Sequence, residues 1–284
     1  MVLECVPNVS EGRDLTVLDA LADACGRSLL DRHVDADHHR SVFTLAGPGR
    51  TDAIGAVCDL ATAAAARLDI REHRGVHPRL GAIDVVPFVA LDESAVAATD
   101  AASFFTEWIA ETLGVPVFRY DAADPAGRAL PEVRRDAFTR RAPDAGPAEP
   151  HPRLGAVAVG ARTPLVAVNC WLTTDDLALA RSVAAVVRER DGGLPGVRAL
   201  GLALPSRGIA QVSMNLVDLG RTGLEGACLA VRERVETAGG HIARVEIVGL
   251  VPATELARCT PEFLAWTGVG PDVTIEARLA ARAA

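Results

Sequence analysis

There is no lysine in these 284 residues; all 29 basic side chains are arginine. That excludes a lysine Schiff base, and with it ordinary pyridoxal-phosphate catalysis. It also excludes the lysine of a Walker A loop. Recognition of carboxylates falls to arginine, always charged and fork-shaped, with help only from histidine. No serine or cysteine sits in a recognisable nucleophile elbow. No apolar run reaches membrane-spanning length. The opening Met1-Val2-Leu3-Glu4 lacks the basic-then-apolar pattern of a signal peptide. Six scattered cysteines (Cys5, Cys25, Cys58, Cys170, Cys228, Cys259) show neither C-x-x-C spacing nor disulfide-framework density. They read as buried thiols in a reduced cytosol. The net charge of −8 argues against a nucleic-acid footprint. The expectation is a cytoplasmic protein with neither membrane nor nucleic acid as partner.

What is present is apolar: 49% of the chain is hydrophobic, enough for one large domain or two ordinary ones. The same six residues, His-Pro-Arg-Leu-Gly-Ala, occur at His77–Ala82 and again at His151–Ala156. Proline holds the residue before it extended, so each histidine sits on ordered, non-helical chain. The first copy runs into the apolar stretch Ile83–Leu91 and reads as a site at the mouth of a strand. The second follows a Pro-rich loop, ends in Gly160-Ala161-Arg162 and reads as a loop closing over something.

Periodicity predicts strands at Leu3–Val9, Ser28–Val34, Arg40–Leu45, Ile83–Val89 and Val115–Tyr120 in the first half. Helices are expected at Asp14–Cys25, Thr51–Leu68 and Glu93–Leu113. Residues Asp121–Pro152 read as one helix plus a long loop. The second half reads as strand Leu165–Leu172, helix Asp175–Arg190, strands Val197–Leu204 and Gln211–Leu216, helix Thr222–Ala238 and strand Ile242–Val248. That order is β-α-β-β-α-β, the ferredoxin-like pattern, and the first half opens the same way. The fold class expected is α/β (α+β): two ferredoxin-like βαββαβ-type sandwich subdomains, residues 1–161 and 162–284, with a ligand cleft between them.

Candidate chemistry gathers on histidines and carboxylates. A carboxylate that accepts from one imidazole nitrogen fixes the tautomer and raises the basicity of the other. Asp35 with His77 is such an acid/base pair if the fold joins their strand ends; the same residues also read as a solvated polar loop. Asp35, Asp37, His38 and His77 are also metal-ligand types, the basis of a metal-dependent hydrolase reading, although no H-x-x-x-H or H-E-x-x-H spacing is present. Asn8, at a strand end, could hold a ligand oxygen or amide, and Arg40, Arg79 and Arg153 could hold carboxylates. Gln211, Ser213 and Asn215 share one strand face, where three neutral polar groups suit either solvent or a polar ligand.

Taken together and in order, these stretches resemble the formiminotransferase family, glutamate formiminotransferase and the transferase half of formiminotransferase-cyclodeaminase. The stretches are Glu4–Gly12, Val34-Asp35-Ala36, Arg40–Thr44, His77–Val85, Gly155-Ala156 with Gly160-Ala161-Arg162, Ala210–Ser213 with Asn215-Leu216, and Val248–Pro252. The resemblance implies formimino transfer from N-formimino-L-glutamate to N5 of tetrahydrofolate, as in histidine degradation and one-carbon metabolism. It implies tetrahydrofolate as co-substrate, no metal, and a homodimer. It puts His77 on the catalytic histidine and Asp35 on an acidic residue near it. It puts Gly146, Pro147, Ala148, Glu149, Pro150, His151, Pro152, Arg153, Leu154 and Gly155 on the folate-binding loop. Asn8, Arg40, Arg79, Gln211 and Asn215 complete the expected binding set. Val76 stands before His77 where the family carries an acidic residue. No deaminase half follows, so cyclodeaminase activity is not expected. A folate-binding protein that no longer catalyses is the second alternative.

Overall fold

The structure is a computed structural model that describes residues 2–47, 49–91 and 95–283. It divides into two compact units, Met1–Thr163 and Pro164–Ala284.

The first unit is built on one mixed sheet. Its opening strand is broken at Val6-Pro7 into β1 (Leu3–Cys5) and β2 (Asn8–Val9), both lying between β4 (Arg40–Ala46) and β5 (Ile83–Ala90). Strand β3 (Leu29–Asp35) forms a hairpin with β4. Helix α1 (Leu15–Cys25) starts where the Asp14 carboxylate accepts from the Thr16 and Val17 amides. It buries Leu18, Leu21 and Cys25. Helix α2 (Arg50–Arg67) buries the small side chains Ala53, Ala56, Ala61 and Ala64, which lets it lie close to the sheet. The order β3-β4-(β1β2)-β5 is that of a βαββαβ sandwich.

Two parallel strands extend this sheet beyond β5: β7 (Val157–Arg162) pairs with β5, and β6 (Val117–Asp121) pairs with β7. Helix α3 (Ala95–Leu113) makes the crossover between β5 and β6. The residue Glu93, where this helix was expected to begin, lies outside the described residues. Strand β7 corrects the reading of Gly160-Ala161-Arg162 as the end of a loop. A parallel strand buried on both faces shows an unbroken apolar run instead of alternation, and Val157, Ala158, Val159 and Ala161 are all buried. The short helix α4 (Leu130–Asp136) covers the opposite face through Val133, which packs with Val85, Phe118, Tyr120, Ala156 and Ala158.

The second unit follows the expected order more closely: β8 (Val166–Leu172), α5 (Leu177–Val187), β9 (Val197–Leu204), β10 (Ile209–Leu216), α6 (Leu224–Thr237) and β11 (Ile242–Val248). Its sheet order is β11-β8-β10-β9, antiparallel throughout. Alternation in β10 sends Val212, Met214 and Leu216 into the core. Three further helices follow, α7 (Ala253–Leu256), α8 (Pro261–Thr267) and α9 (Ile275–Ala283), none of them expected. Among the described residues no helix is long and apolar enough to cross a membrane.

Candidate active site

The two copies of the repeat meet. Gly81 of the first forms an antiparallel bridge with Gly155 of the second. The Ala82 amide donates to Leu154 O at 2.9 Å, and the Ala156 amide donates to Leu80 O at 3.1 Å. Each copy thus gives the other the same bond at the same repeat position. The glycines are required: a Cβ on Gly81 would lie 2.3 Å from two carbonyl oxygens of the second copy, and one on Gly155 2.4 Å from Leu80 O. Ser10 ties the first strand to this brace, its hydroxyl donating to Gly81 O at 2.8 Å.

The copies differ in what caps them. In the second, the His151 ring turns inward and Nδ1 accepts from the Arg153 and Leu154 amides at 3.2 and 3.0 Å. In the first, the equivalent Leu80 amide donates instead to the Asp84 carboxylate at 2.6 Å. His77 is thereby left over. Its Nδ1 lies 2.7 Å from Pro78 O. A carbonyl only accepts, and at 2.7 Å it outweighs the arginine donor Arg40 Nη1 at 3.4 Å, so Nδ1 carries the proton and Nε2 is the basic nitrogen. Nε2 makes no hydrogen bond among the described residues.

Asp84 reaches this site because β5 bulges there. Asn8 pairs with Val85 but Val9 pairs with Ile83, which leaves Asp84 as the extra residue. A bulge re-aims a side chain. The Asp84 side chain is fully buried, and its Oδ2 accepts from Arg40 Nη1 and from Arg134 Nη2, the latter at 2.6 Å. Burial alone would raise the carboxyl, but Arg40 and Arg134 outweigh it and hold Asp84 at about 2. Arg40 is clamped from the other side by Asn8, whose Oδ1 accepts from Nη2 at 2.7 Å and from Nε at 3.0 Å. Arg40 Nη1 stands 3.4 Å from His77 Nδ1. Burial and then Arg40 hold the His77 pKa well below the usual imidazole value. The ring is therefore neutral at pH 7.

Of the residues expected from sequence, Asn8, Arg40, Arg79 and His77 come together. Arg79 staples the His77 loop to itself, donating to His77 O and Gly75 O. The expected Asp35–His77 hydrogen bond is not made. Asp35 instead organises its own hairpin turn, accepting from the His38 amide at 2.7 Å. That turn is joined to the His77 loop by Val76 N donating to Asp37 O and by His39 and His73 stacked at 4.0 Å. The His38 ring lies 5.8 Å from that of His77. Among the described residues no group of three or more His, Cys, Asp or Glu side chains converges as a metal site needs, and the Asp35, Asp37, His38, His77 quartet is no exception. In the segment expected to bind folate, Gly146, Pro147, Ala148, Glu149 and Pro150 are exposed, while Leu154 and Gly155 are buried in the brace. Arg153 ties the loop to the end of α2, donating to Leu68 O at 3.2 Å. Gln211 and Asn215 belong to the second unit, on the face of β10 opposite its core; Gln211 is buried and Asn215 exposed. Sequence reasoning missed Asp84 and Arg134. Asp84 had a signal, one carboxylate in the apolar run Ile83–Leu91, where burial without partners is costly. Arg134 had none.

Comparison with known proteins gives the family. The N-terminal subdomain of the formiminotransferase domain matches residues 2–162, and the formiminotransferase domain matches residues 167–267. The chain belongs to the formiminotransferase family. A glutamate formimidoyltransferase of Streptococcus pyogenes serotype M1 is 36% identical over 279 residues, 93% of each chain. One from Thermoplasma acidophilum is 33% identical over 296 residues, covering 98% of this chain and 97% of its own. The formimidoyltransferase-cyclodeaminase of Sus scrofa is 35% identical over 284 residues, which is 90% of this chain and 51% of that protein. The chain is thus a transferase of this family.

Proposed function

We propose that this chain transfers the formimino group of N-formiminoglutamate to N5 of tetrahydrofolate, with His77 as the acid/base. Two observations support the reading: full-length similarity to glutamate formimidoyltransferases, and an imidazole whose Nδ1 is committed and whose Nε2 is not. The second carries the mechanism. N5 loses a proton as it attacks the amidine carbon, and the glutamate nitrogen gains one as its bond to that carbon breaks. Nε2 takes the first proton and returns it to the second nitrogen, so the histidine ends as it began. Its lowered pKa keeps Nε2 bare at pH 7 and makes the imidazolium a willing donor. A dicarboxylate bound beside the local arginines offsets their charge and brings that pKa back up.

Substrate carboxylates are assigned to Arg40 and Arg79 beside His77, and folate to the exposed Pro147–Pro150 tip, whose two prolines limit the ordering cost of binding. Asp35 acts by shaping the turn beside His77. The reading includes a homodimer in the cytoplasm, in keeping with six free cysteines. Light scattering after gel filtration measures the assembly. The deciding experiment is mass spectrometry of reactions with tetrahydrofolate and N-formiminoglutamate, wild type beside His77→Ala. Wild type is expected to give 5-formimino-tetrahydrofolate and glutamate. Loss of the His77 contribution is expected to slow the variant by about 100- to 10,000-fold. Turnover by His77→Ala within a few-fold of wild type sinks the role of His77. Folate binding without product in wild type leaves a binding protein.

A further inference from the structure

We infer that Arg134, anchored by Asp84, is the positioning residue for His77: its guanidinium holds the Pro78 carbonyl, and that carbonyl holds the imidazole. This rests on the reading of His77 as the acid/base. Pro78 O accepts twice, from His77 Nδ1 at 2.7 Å and from Arg134 Nη1 at 2.9 Å. Proline fixes φ at residue 78 but leaves ψ, which aims the carbonyl, to be set by something else. Pro78 is exposed and its segment carries no helix or strand. Among the described residues, Arg134 is the one side chain from outside the loop that bonds this carbonyl.

Arg134 is itself fixed. Its second nitrogen, Nη2, donates to Asp84 Oδ2 at 2.6 Å, and Asp84 Oδ1 takes the Leu80 amide. The guanidinium therefore spans Pro78 O and Asp84 with two different nitrogens. Only a planar fork does this; a lysine ammonium supplies the charge but not both fixed contacts. Helix α4 thus reaches into the site at one residue, and the acid that orients the histidine acts at one remove, through an arginine and a peptide carbonyl. Arg134 touches no reacting atom in this scheme.

The charged and titratable groups around His77 are Arg40 on β4, His38 in the hairpin turn, Asp84 on β5 and Arg134 on α4. Arg79 lies on its own loop, with His73 and His39 stacked beyond it. Fixed positive charge exceeds negative. Removing Arg134 therefore favours the imidazolium, while a lysine there does not.

The test uses the full chain as wild type, Arg134→Gln and Arg134→Lys. Two readouts are taken: the pH dependence of kcat and KM for formimino transfer, and ¹⁵N NMR of the histidine rings, with His77 assigned by its loss in His77→Ala. For Arg134→Gln, kcat is expected to fall about 10- to 100-fold, the scale of misplacing a catalytic group by about 1 Å. KM is expected to stay within about threefold. The acid limb of kcat is expected to move to higher pH, and the His77 signal to leave the Nδ1–H tautomer. Arg134→Lys is expected to keep the acid limb near wild type while recovering only part of kcat. An unchanged His77 tautomer and acid limb in Arg134→Gln overturn the proposal, whatever happens to kcat. So does full recovery by lysine. The ring spectra are read without turnover, so a wild type that transfers no formimino group refutes the functional reading but leaves the positioning result standing. If Arg134→Gln does not fold, the lysine variant alone decides: a wild-type kcat and tautomer overturn the proposal.

Discussion

Replacing Gly81 by alanine tests the brace between the two repeat copies. The new methyl would meet Ala156 O and Leu154 O at 2.3 Å and Ala156 N at 2.8 Å. All three are backbone atoms, so no side chain can rotate out of the way and the bridge has to open. Two hydrogen bonds are then lost, Ala82 N to Leu154 O and Ala156 N to Leu80 O. Each contributes about 0.5–1.5 kcal/mol net. Overpacking against fixed neighbours adds about 1–3 kcal/mol. The total for Gly81→Ala is about 2–6 kcal/mol, a large share of the 5–15 kcal/mol that typically holds a folded protein. Gly155→Ala carries the same clash and adds about 1–2 kcal/mol, because its φ of 70° is left-handed. Gly55, inside α2, is the control: an added Cβ meets nothing within 4 Å. Alanine there gains about 0.5–1 kcal/mol of helix propensity. Urea denaturation gives the midpoints, and hydrogen exchange at the Ala82 and Ala156 amides reads the brace directly. Because both glycines serve one bridge, the double variant is expected to lose clearly less than the sum of the single losses. Additive losses, or a Gly81→Ala midpoint at or above that of Gly55→Ala, would refute the brace.

Asp84 gives an acid-stability prediction. Its folded pKa, about 2, lies below the ordinary carboxyl value of 3.8, so its stabilisation is complete above about pH 4 and is lost as pH falls towards 2. Asp84→Asn strands two nearly buried guanidiniums and is expected to cost about 3–5 kcal/mol at pH 7. Its stability is also expected to fall less between pH 5 and pH 2 than that of wild type; parallel acid profiles for the two proteins would show that Asp84 does not titrate as described. The thiols give another prediction. Burial, then Asp59, pushes both Cys25 and Cys58 up to about 12, so neither is expected to react with a disulfide reagent at pH 8 within minutes, while all six thiols react in denaturant. Prompt native labelling of Cys25 or Cys58 would contradict their placement.

What the sequence made legible is what local chemistry specifies. The hairpin Leu29–Ala46 announces itself by a charged turn leading into the apolar strand β4, and β10 by strict alternation. The second unit was readable because each of its strands has one face on the core and one face away from it. Strand β7 was not: covered on both faces it has no period to detect, and its alanines and glycine give less of the β-branched and aromatic signal that marks β5. The three helices after Val248 are short and rest on caps such as Thr260, which is a weak signal without the partners they pack on. Within the site, Asn8 was read from its place at a strand end, His77 from the repeated hexapeptide and Arg40 from its charge. Asp84 was passed over for a specific reason. Alternation places Asp84 by counting along β5, and a bulge breaks the count at that residue. Asp35 sits at a strand end, where a cleft residue is expected, yet its carboxylate closes its own turn.

The repeat that opened as a puzzle has two parts with different reasons for being identical. Leu-Gly-Ala is duplicated because the two copies bond each other reciprocally, and only glycine permits the approach from either side. His-Pro-Arg is duplicated in sequence but not in use. In the second copy the histidine is consumed as an acceptor for two backbone amides, and its turn closes on itself, His151 and Gly155 exchanging both bonds at 2.9 and 2.8 Å. In the first copy one carboxylate four residues beyond the leucine, Asp84, takes over the capping of Leu80. That substitution of partners separates a histidine held as a cap from one whose Nε2 is left without a partner. The second copy has Ala158 at the position equivalent to Asp84, so nothing relieves His151 of its cap. Placing an acid in β7 would not convert it, because Ala158 is buried with Phe118 and Tyr120 and lacks the two arginines that make a buried carboxylate tolerable. Freeing the histidine of the first copy takes the whole set: the acid, the arginine that spans it and the carbonyl, and the bulge that points the acid there.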